Sequence, residues 1–151
     1  MTALPINDRQ KHWAQLIINE VKVYPGIGDL DHRHRAADIS LEVALTESSL
    51  LMYANSGIPA SLTYPHDAVG HDHNSLGLFQ QRNGMWGTVG ELMSAPISTK
   101  KFLHALLALG NWTTGANWTI AQRVQISAFA DGSNYRKNDA LAIKIRKALY
   151  K

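Results

Sequence analysis

Residues 53–97 interrupt a chain whose other apolar residues recur at helical spacing. The segment is rich in Gly, Pro, Asn, Asp and His, and strand-like alternation is confined to short pieces of it. So long an irregular stretch is uncommon inside a compact domain and tends to be functional. The core must then come from the flanking sequence. The expected class is mainly α, with room for a small hairpin in the irregular stretch.

The flanks carry clear helix signals. Asn7 or Asp8 can cap a first helix, with Trp13, Leu16, Ile17 and Val21 on its inner face and Pro25, Gly26 and Gly28 at its end. A second helix is expected from about Arg33 to Leu51. A third follows "APIST", with Phe102, Ala105, Leu106 and Leu109 as its stripe and Gly110 as its stop. "TIAQ" at 119–122 has capping-box spacing and opens a helix through Ile120, Val124 and Ala128. The last helix carries Leu141, Ile145, Ala148 and Leu149. Its basic residues Lys144, Arg146, Lys147 and Lys151 gather at the end the helix dipole favours. "NWT" occurs twice, at 111–113 and 117–119, which is not a repeat architecture. A length of 151 residues suits one domain, 1–151.

Composition removes several function classes. There is no cysteine, so disulfides, thiolate nucleophiles and zinc fingers are excluded. Lys+Arg of 15 against Asp+Glu of 12 leaves a charge of +3, a bias that suits an acidic polymer but that solubility also explains. No basic run of five occurs and aromatics are not interleaved with Arg and Lys, so no nucleic-acid partner is expected. No apolar run approaches the roughly 20 residues that span a bilayer, so no membrane insertion is expected. The opening "MTALPINDRQK" lacks the apolar centre of a secretory signal. Gly-x-Ser-x-Gly and phosphate-loop spacings are also absent.

One residue in the second helix is out of place. On a helix over 36–51, Asp38, Glu42, Thr46 and Ser49 form a polar stripe, and Ala37, Leu41, Ala44, Leu45 and Ser48 a small apolar face. Ile39, Val43, Glu47, Leu50 and Leu51 form a third line, where Glu47 interrupts apolar residues. Burial and the negative end of the helix dipole would both raise its pKa. A carboxyl still protonated near neutral pH suits general-acid cleavage of a glycosidic bond, for which lysozyme is the standard example. The other reading is a frayed helix end with Glu47 in water.

"ALTESSL" at 44–50, followed by "HDAVGHDHNSLGLFQQR" at 66–82, resembles the lysozyme-like, lytic-transglycosylase-like domains of actinobacteria and their phages. The likeness continues through Trp86-Gly87-Thr88, Leu92-Met93 and Gln125-Ile126-Ser127-Ala128-Phe129, covering roughly residues 12–135. Phe79 stands where the wider superfamily has Met. His71 replaces an expected Tyr, and Ala130-Asp131-Gly132 replaces Pro-Asp-Ala. The resemblance implies a goose-type lysozyme or lytic-transglycosylase-like helical domain that cleaves the β-1,4 bond between N-acetylmuramic acid and N-acetylglucosamine. Glu47 is then the catalytic acid/base. Ser48, Gln80, Gln81, Gln125 and Tyr135 are the implied substrate-binding residues. The implied partner is the peptidoglycan glycan strand, met by a monomer without metal or cofactor. The implied place of action is the bacterial wall, reached by holin-type release or as part of a larger secreted chain.

Two points stay open at this level. A hydrolase needs a second carboxylate, for which Asp67, Asp72 and Asp131 are candidates, whereas a transglycosylase needs none. A wall-binding or phage-tail structural module with the same fold is the non-catalytic alternative. His66, Asp67, His71, Asp72 and His73 fit no common zinc spacing, so Asx turns and His–Asp hydrogen bonds are expected to pin this loop. Trp86, Trp112 and Trp118 can either stack on sugars or pack at helix boundaries. Arg33 and Arg35 are expected to be solvated.

Overall fold

A computed structural model describes residues 3–125 and 132–151 of the chain. The fold is mainly helical. Helix α1 spans Asp8–Val23 and opens with a reciprocal capping box between Asn7 and Gln10. Helix α2 spans Leu30–Ser48 with Asp29 as its N-cap. Short strands β1 (Tyr53–Asn55) and β2 (Ala68–Gly70) pair in parallel, with a 3-10 turn over Pro59–Thr63 between them. Strands β3 (Ser75–Leu76) and β4 (Gln81–Arg82) form the small antiparallel hairpin. Helices α3 (Val89–Leu92), α4 (Ala95–Ala108), α5 (Asn117–Gln125), α6 (Ser133–Arg136) and α7 (Asp139–Leu149) complete the order. None of the described helices is long and apolar enough to cross a membrane.

Several boundaries differ from the sequence expectation for local reasons. Helix α2 stops at Ser48, because Ser49 and Leu50 both adopt left-handed backbone, with φ of 55° and 56°. "APIST" lies inside α4, which Ser94 caps. Proline is tolerated in that first turn because the N–H it lacks has no helical partner there. Helix α5 is already under way at Asn117, so Thr119 is an interior residue and not a cap. The capping box that does form nearby joins Thr88 and Glu91, the same Thr-x-x-acid/amide signal at the head of α3. Ala128, placed on the fourth stripe, lies outside the described residues.

Helix α2 is the central element, packed against α1, α4, α5, α6 and α7. All residues from Ala36 to Leu45 are buried. Asp38 and Glu42 of the polar stripe expected along it therefore do not face water, while Thr46 is half-buried and Ser49 exposed. Asp38 takes a bidentate pair of bonds from Arg146 of α7, at 2.8 and 3.1 Å. Ser40, Thr46 and Ser48 donate to carbonyls four residues back, which for the buried Ser40 and Ser48 satisfies hydroxyls that have no solvent to meet. Arg33 and Arg35 are likewise not free in solvent. Arg33 donates to the carbonyls of Val21 and Tyr24 at the end of α1. Arg35 donates to those of Trp112, Thr114 and Gly115 before α5.

Glu42 is the exception among the buried polar groups. It is fully buried, and neither carboxyl oxygen meets a donor. Burial comes first, then Asp139 and Asp38 nearby, and together they push its pKa up to about 10; Arg35 opposes them. Protonated, Glu42 can donate to Asp139, an arrangement a carboxylate cannot make. A folded pKa above the unfolded one means that stability falls as pH rises from about 4.5 towards 10, on the order of 3 kcal/mol by pH 7. Asp38 and Glu47 are shifted in the same direction by burial, while Asp67 and Glu91 are shifted down and act oppositely. Glu42→Gln keeps a neutral amide at that place. Its melting temperature should match wild type near pH 4.5 and exceed it increasingly up to pH 9. Parallel curves for the two proteins would show that Glu42 is not held neutral.

Candidate active site

The end of α2 is where the irregular segment meets the core. Leu50 donates its N–H to the carbonyl of Ala44, closing the last turn and sending the chain sharply into β1. Left-handed backbone at a buried leucine is strained, and such residues persist only where surrounding structure holds them. The turn leaves Glu47 half-buried at the helix end.

The hairpin loop is tied to that end at adjacent carbonyls. Ser48 Oγ donates to Leu78 O at 2.7 Å, and Gln125 Nε2 of α5 donates to Phe79 O at 3.0 Å. The Phe79 ring stacks on Phe102 of α4, with centroids 5.0 Å apart, which anchors the loop in the core. Gly77 turns the loop with a φ of 80° and donates to Tyr53 O. A Cβ there would run into the backbone carbonyl of Leu92, so only glycine fits. Gln80 follows, also left-handed with a φ of 49°, its amide nitrogen bonded to Gly77 O at 2.9 Å.

These ties enclose a cavity of about 500 Å³, lined by Glu47, Gln80, Arg82, Trp86, Gln125 and Tyr135 among others. The volume falls within the usual range of ligand sites. Glu47 is the one carboxylate among the described lining residues. Burial raises its pKa, and a hydrogen bond from Tyr135 opposes the rise. The Tyr135 hydroxyl lies 3.2 Å from Glu47 Oε1 while its ring is fully buried. Asn138 Nδ2 donates to Thr46 Oγ1 at 2.8 Å, fixing the segment after Tyr135 against α2 one residue from Glu47.

Four residues expected at the site are elsewhere or otherwise engaged. Ser48 is buried and its hydroxyl is used by Leu78 and Ala44, so it positions the loop and does not line the cavity. Gln81, in β4, is buried, its side-chain amide without a partner among the described residues. Asp67 accepts from Arg9 Nε, Trp13 Nε1 and the backbone N–H of Met52, at 2.8, 2.7 and 2.9 Å. Despite the opposing effect of its burial, those donors hold its pKa below the usual range, and it ties α1 to the chain after α2. Asp72 is exposed, and it is its backbone carbonyl that the structure uses, as an acceptor for Asn55 Nδ2. Asp131 and residues 126–130 lie outside the described residues.

The 66–73 loop is therefore not pinned by His–Asp bonds. Asn55 holds it, donating to the carbonyls of Asp72 and Ser75 while its own oxygen accepts from Gly57 N–H. His66 Nδ1 lies 2.7 Å from Tyr64 O, and His71 and His73 face solvent. Among the described residues no His, Asp and Glu side chains gather as a metal site. Trp112 is core, Trp118 lies half-buried under Arg136, and Trp86 alone of the three lines the cavity. Arg82 and Met85 also line it without having been singled out. Arg82 closes the "GLFQQR" motif, but nothing in sequence shows which face of a two-residue strand meets the cavity.

Comparison with known proteins finds no family model that matches the chain and no match among curated proteins.

Two outcomes follow from this geometry. Tyr135→Phe removes the hydrogen bond that opposes the raised pKa of Glu47. A carboxyl-carbon NMR titration should then show Glu47 titrating at higher pH than in wild type; an unchanged or lower value would remove Tyr135 from its control. Gly77→Ala combines left-handed strain with a backbone clash and should cost more than about 2 kcal/mol in chemical denaturation. A change within error would mean that the loop relaxes away from Leu92.

Proposed function

We propose that this chain is a lysozyme-like domain that cleaves the β-1,4 bond between N-acetylmuramic acid and N-acetylglucosamine in peptidoglycan, with Glu47 as general acid and base. The observation that carries the proposal is a half-buried carboxyl with a raised pKa in a cavity that also presents Gln80, Gln125 and Tyr135. The resemblance of 44–50 and 66–82 to the lysozyme-like domains agrees with it.

Protonated Glu47 donates to the bridging oxygen as the bond to the muramyl C1 breaks. The resulting carboxylate then accepts a proton. Taken from the C6 hydroxyl of the same sugar, it frees O6 to close on C1 as a 1,6-anhydro ring. Taken from water, it yields a reducing end. Retaining and inverting hydrolases normally use two carboxylates, whereas the first route needs one, and neither Asp67 nor Asp72 lines the cavity beside Glu47. The Oε1 of Gln80 remains available to accept from an acetamido N–H or a hydroxyl while its nitrogen holds Gly77.

Digestion of purified peptidoglycan by wild type and by Glu47→Gln, with fragments identified by mass spectrometry, tests this. Wild type should release muropeptides with anhydro ends, and the variant should fall by at least about a hundredfold, the usual scale for a general acid. Reducing ends would mean hydrolysis. Release by the variant at the wild-type rate would remove Glu47 from the chemistry, and no release by wild type would leave a wall-binding module.

A further inference from the structure

Much of the chain's positive charge is already engaged. Arg9, Lys100, Lys101 and Arg146 are in ion pairs, and Arg33 and Arg35 are bound to carbonyls. Lys11, Lys144, Lys147 and Lys151 are different. All four are exposed, and none takes part in an ion pair among the described residues. They converge on one groove of about 640 Å³ between the segment before α1 and helix α7, with Leu4, Ile6, Ala148 and Leu149 as its apolar lining. The groove shares no lining residue with the Glu47 cavity.

Local spacing explains the convergence. Lys144, Lys147 and Lys151 are three and four residues apart, so they fall on one side of α7 and its extension. Arg146, between them in sequence, turns inward to Asp38. Lys11 is added by α1, which packs against α7. Lys22 of α1 continues the row: its Nζ donates to Lys151 O at 2.8 Å and lies 5.1 Å from the centroid of the Tyr150 ring. The one carboxylate side chain in the lining is Asp8, in the first turn of α1, where the helix dipole favours it.

Four like charges around an apolar lining suit an amphiphilic anion. A bare phosphate polymer would meet the lysines and leave the apolar lining unused, and an uncharged glycan has no use for the lysines. A phospholipid surface offers both, with phosphates for the ammonium groups and ester and first acyl carbons for Leu4, Ile6 and Leu149. Those three side chains are half-buried, and none of the described helices can cross a bilayer, so the contact is with the membrane surface. We propose that this groove is a docking surface for anionic phospholipid, which holds the domain on a negatively charged membrane and leaves the separate Glu47 cavity free.

Sedimentation of the full chain with lipid vesicles tests this. Vesicles of phosphatidylglycerol and phosphatidylcholine in equal parts should carry the protein down, and vesicles of phosphatidylcholine alone should not. Lys144→Gln, Lys147→Gln and Lys151→Gln together should weaken binding about a hundredfold, roughly fivefold for each lysine. Lys100→Gln, Lys101→Gln and Lys137→Gln together remove the same charge elsewhere and should bind like wild type. Melting temperatures check that both triple variants fold. Soluble poly(glycerol phosphate) or polyglutamate, added at the charge concentration of the lipid, should leave the protein on the vesicles. Equal binding to neutral vesicles overturns the proposal, as does wild-type binding by the α7 variant. Equal loss in the two triple variants also overturns it, in favour of overall charge. Full release by either polymer overturns it in favour of a phosphate polymer or an acidic peptide. Peptidoglycan cleavage enters none of these readings, so the docking surface and the glycan-cleaving function stand or fall separately.

Discussion

The middle of helix α2, Ala36–Leu45, is buried on every side, and the rest of the structure is arranged around that constraint. A helix in such a place cannot send polar groups to solvent. Asp38 is met by Arg146, the hydroxyls fold back on carbonyls, and Glu42 is held neutral. At its last turn the helix returns to the surface of the core, and Glu47 is located there. The position raises the carboxyl's pKa by burial and leaves it lining the cavity.

The loop opposite Glu47 is placed by bonds to its backbone. Ser48 and Gln125 hold neighbouring carbonyls from two different helices, and Phe79 is locked between them by its stack on Phe102. Gln80 is left with little freedom, which its left-handed φ reflects. Of the positive-φ residues other than glycine, Gln80 lines the cavity, and Ser49 and Leu50 end the helix that carries Glu47. Strain held in this way is common where a site must be rigid before its ligand arrives.

Chain order alone hides how many elements meet at this point. Glu47 comes from α2, Gln80 and Arg82 from the hairpin, Gln125 from α5 and Tyr135 from α6. Asp67 and Asn55 are not part of the cavity lining: Asp67 braces the start of the irregular segment against α1, and Asn55 braces its middle. That segment, lacking a periodic apolar face, is organised instead by side chains that bond to backbone groups, as loops without regular ladders require.

The sequence by itself determined the helical class, the limits of α1, the irregular segment with its hairpin, and the anomaly at Glu47. Each is a matter of local spacing, capping or composition, which act over a few residues. Tertiary structure alone decided what faces what. Asp38 and Glu42 read as a solvent stripe because helical periodicity cannot distinguish a polar face from a buried one that α7 will cover. Asp67 reads as a candidate catalyst because nothing local shows Arg9 and Trp13 arriving from the first helix. Ser48 reads as a ligand contact, yet its hydroxyl is spent on a carbonyl thirty residues on. Trp86 and Lys101 become parts of one groove only when α4 packs beside the hairpin. Long-range packing sets which groups lose water and which keep it, and that difference separates a structural carboxylate from one available for chemistry.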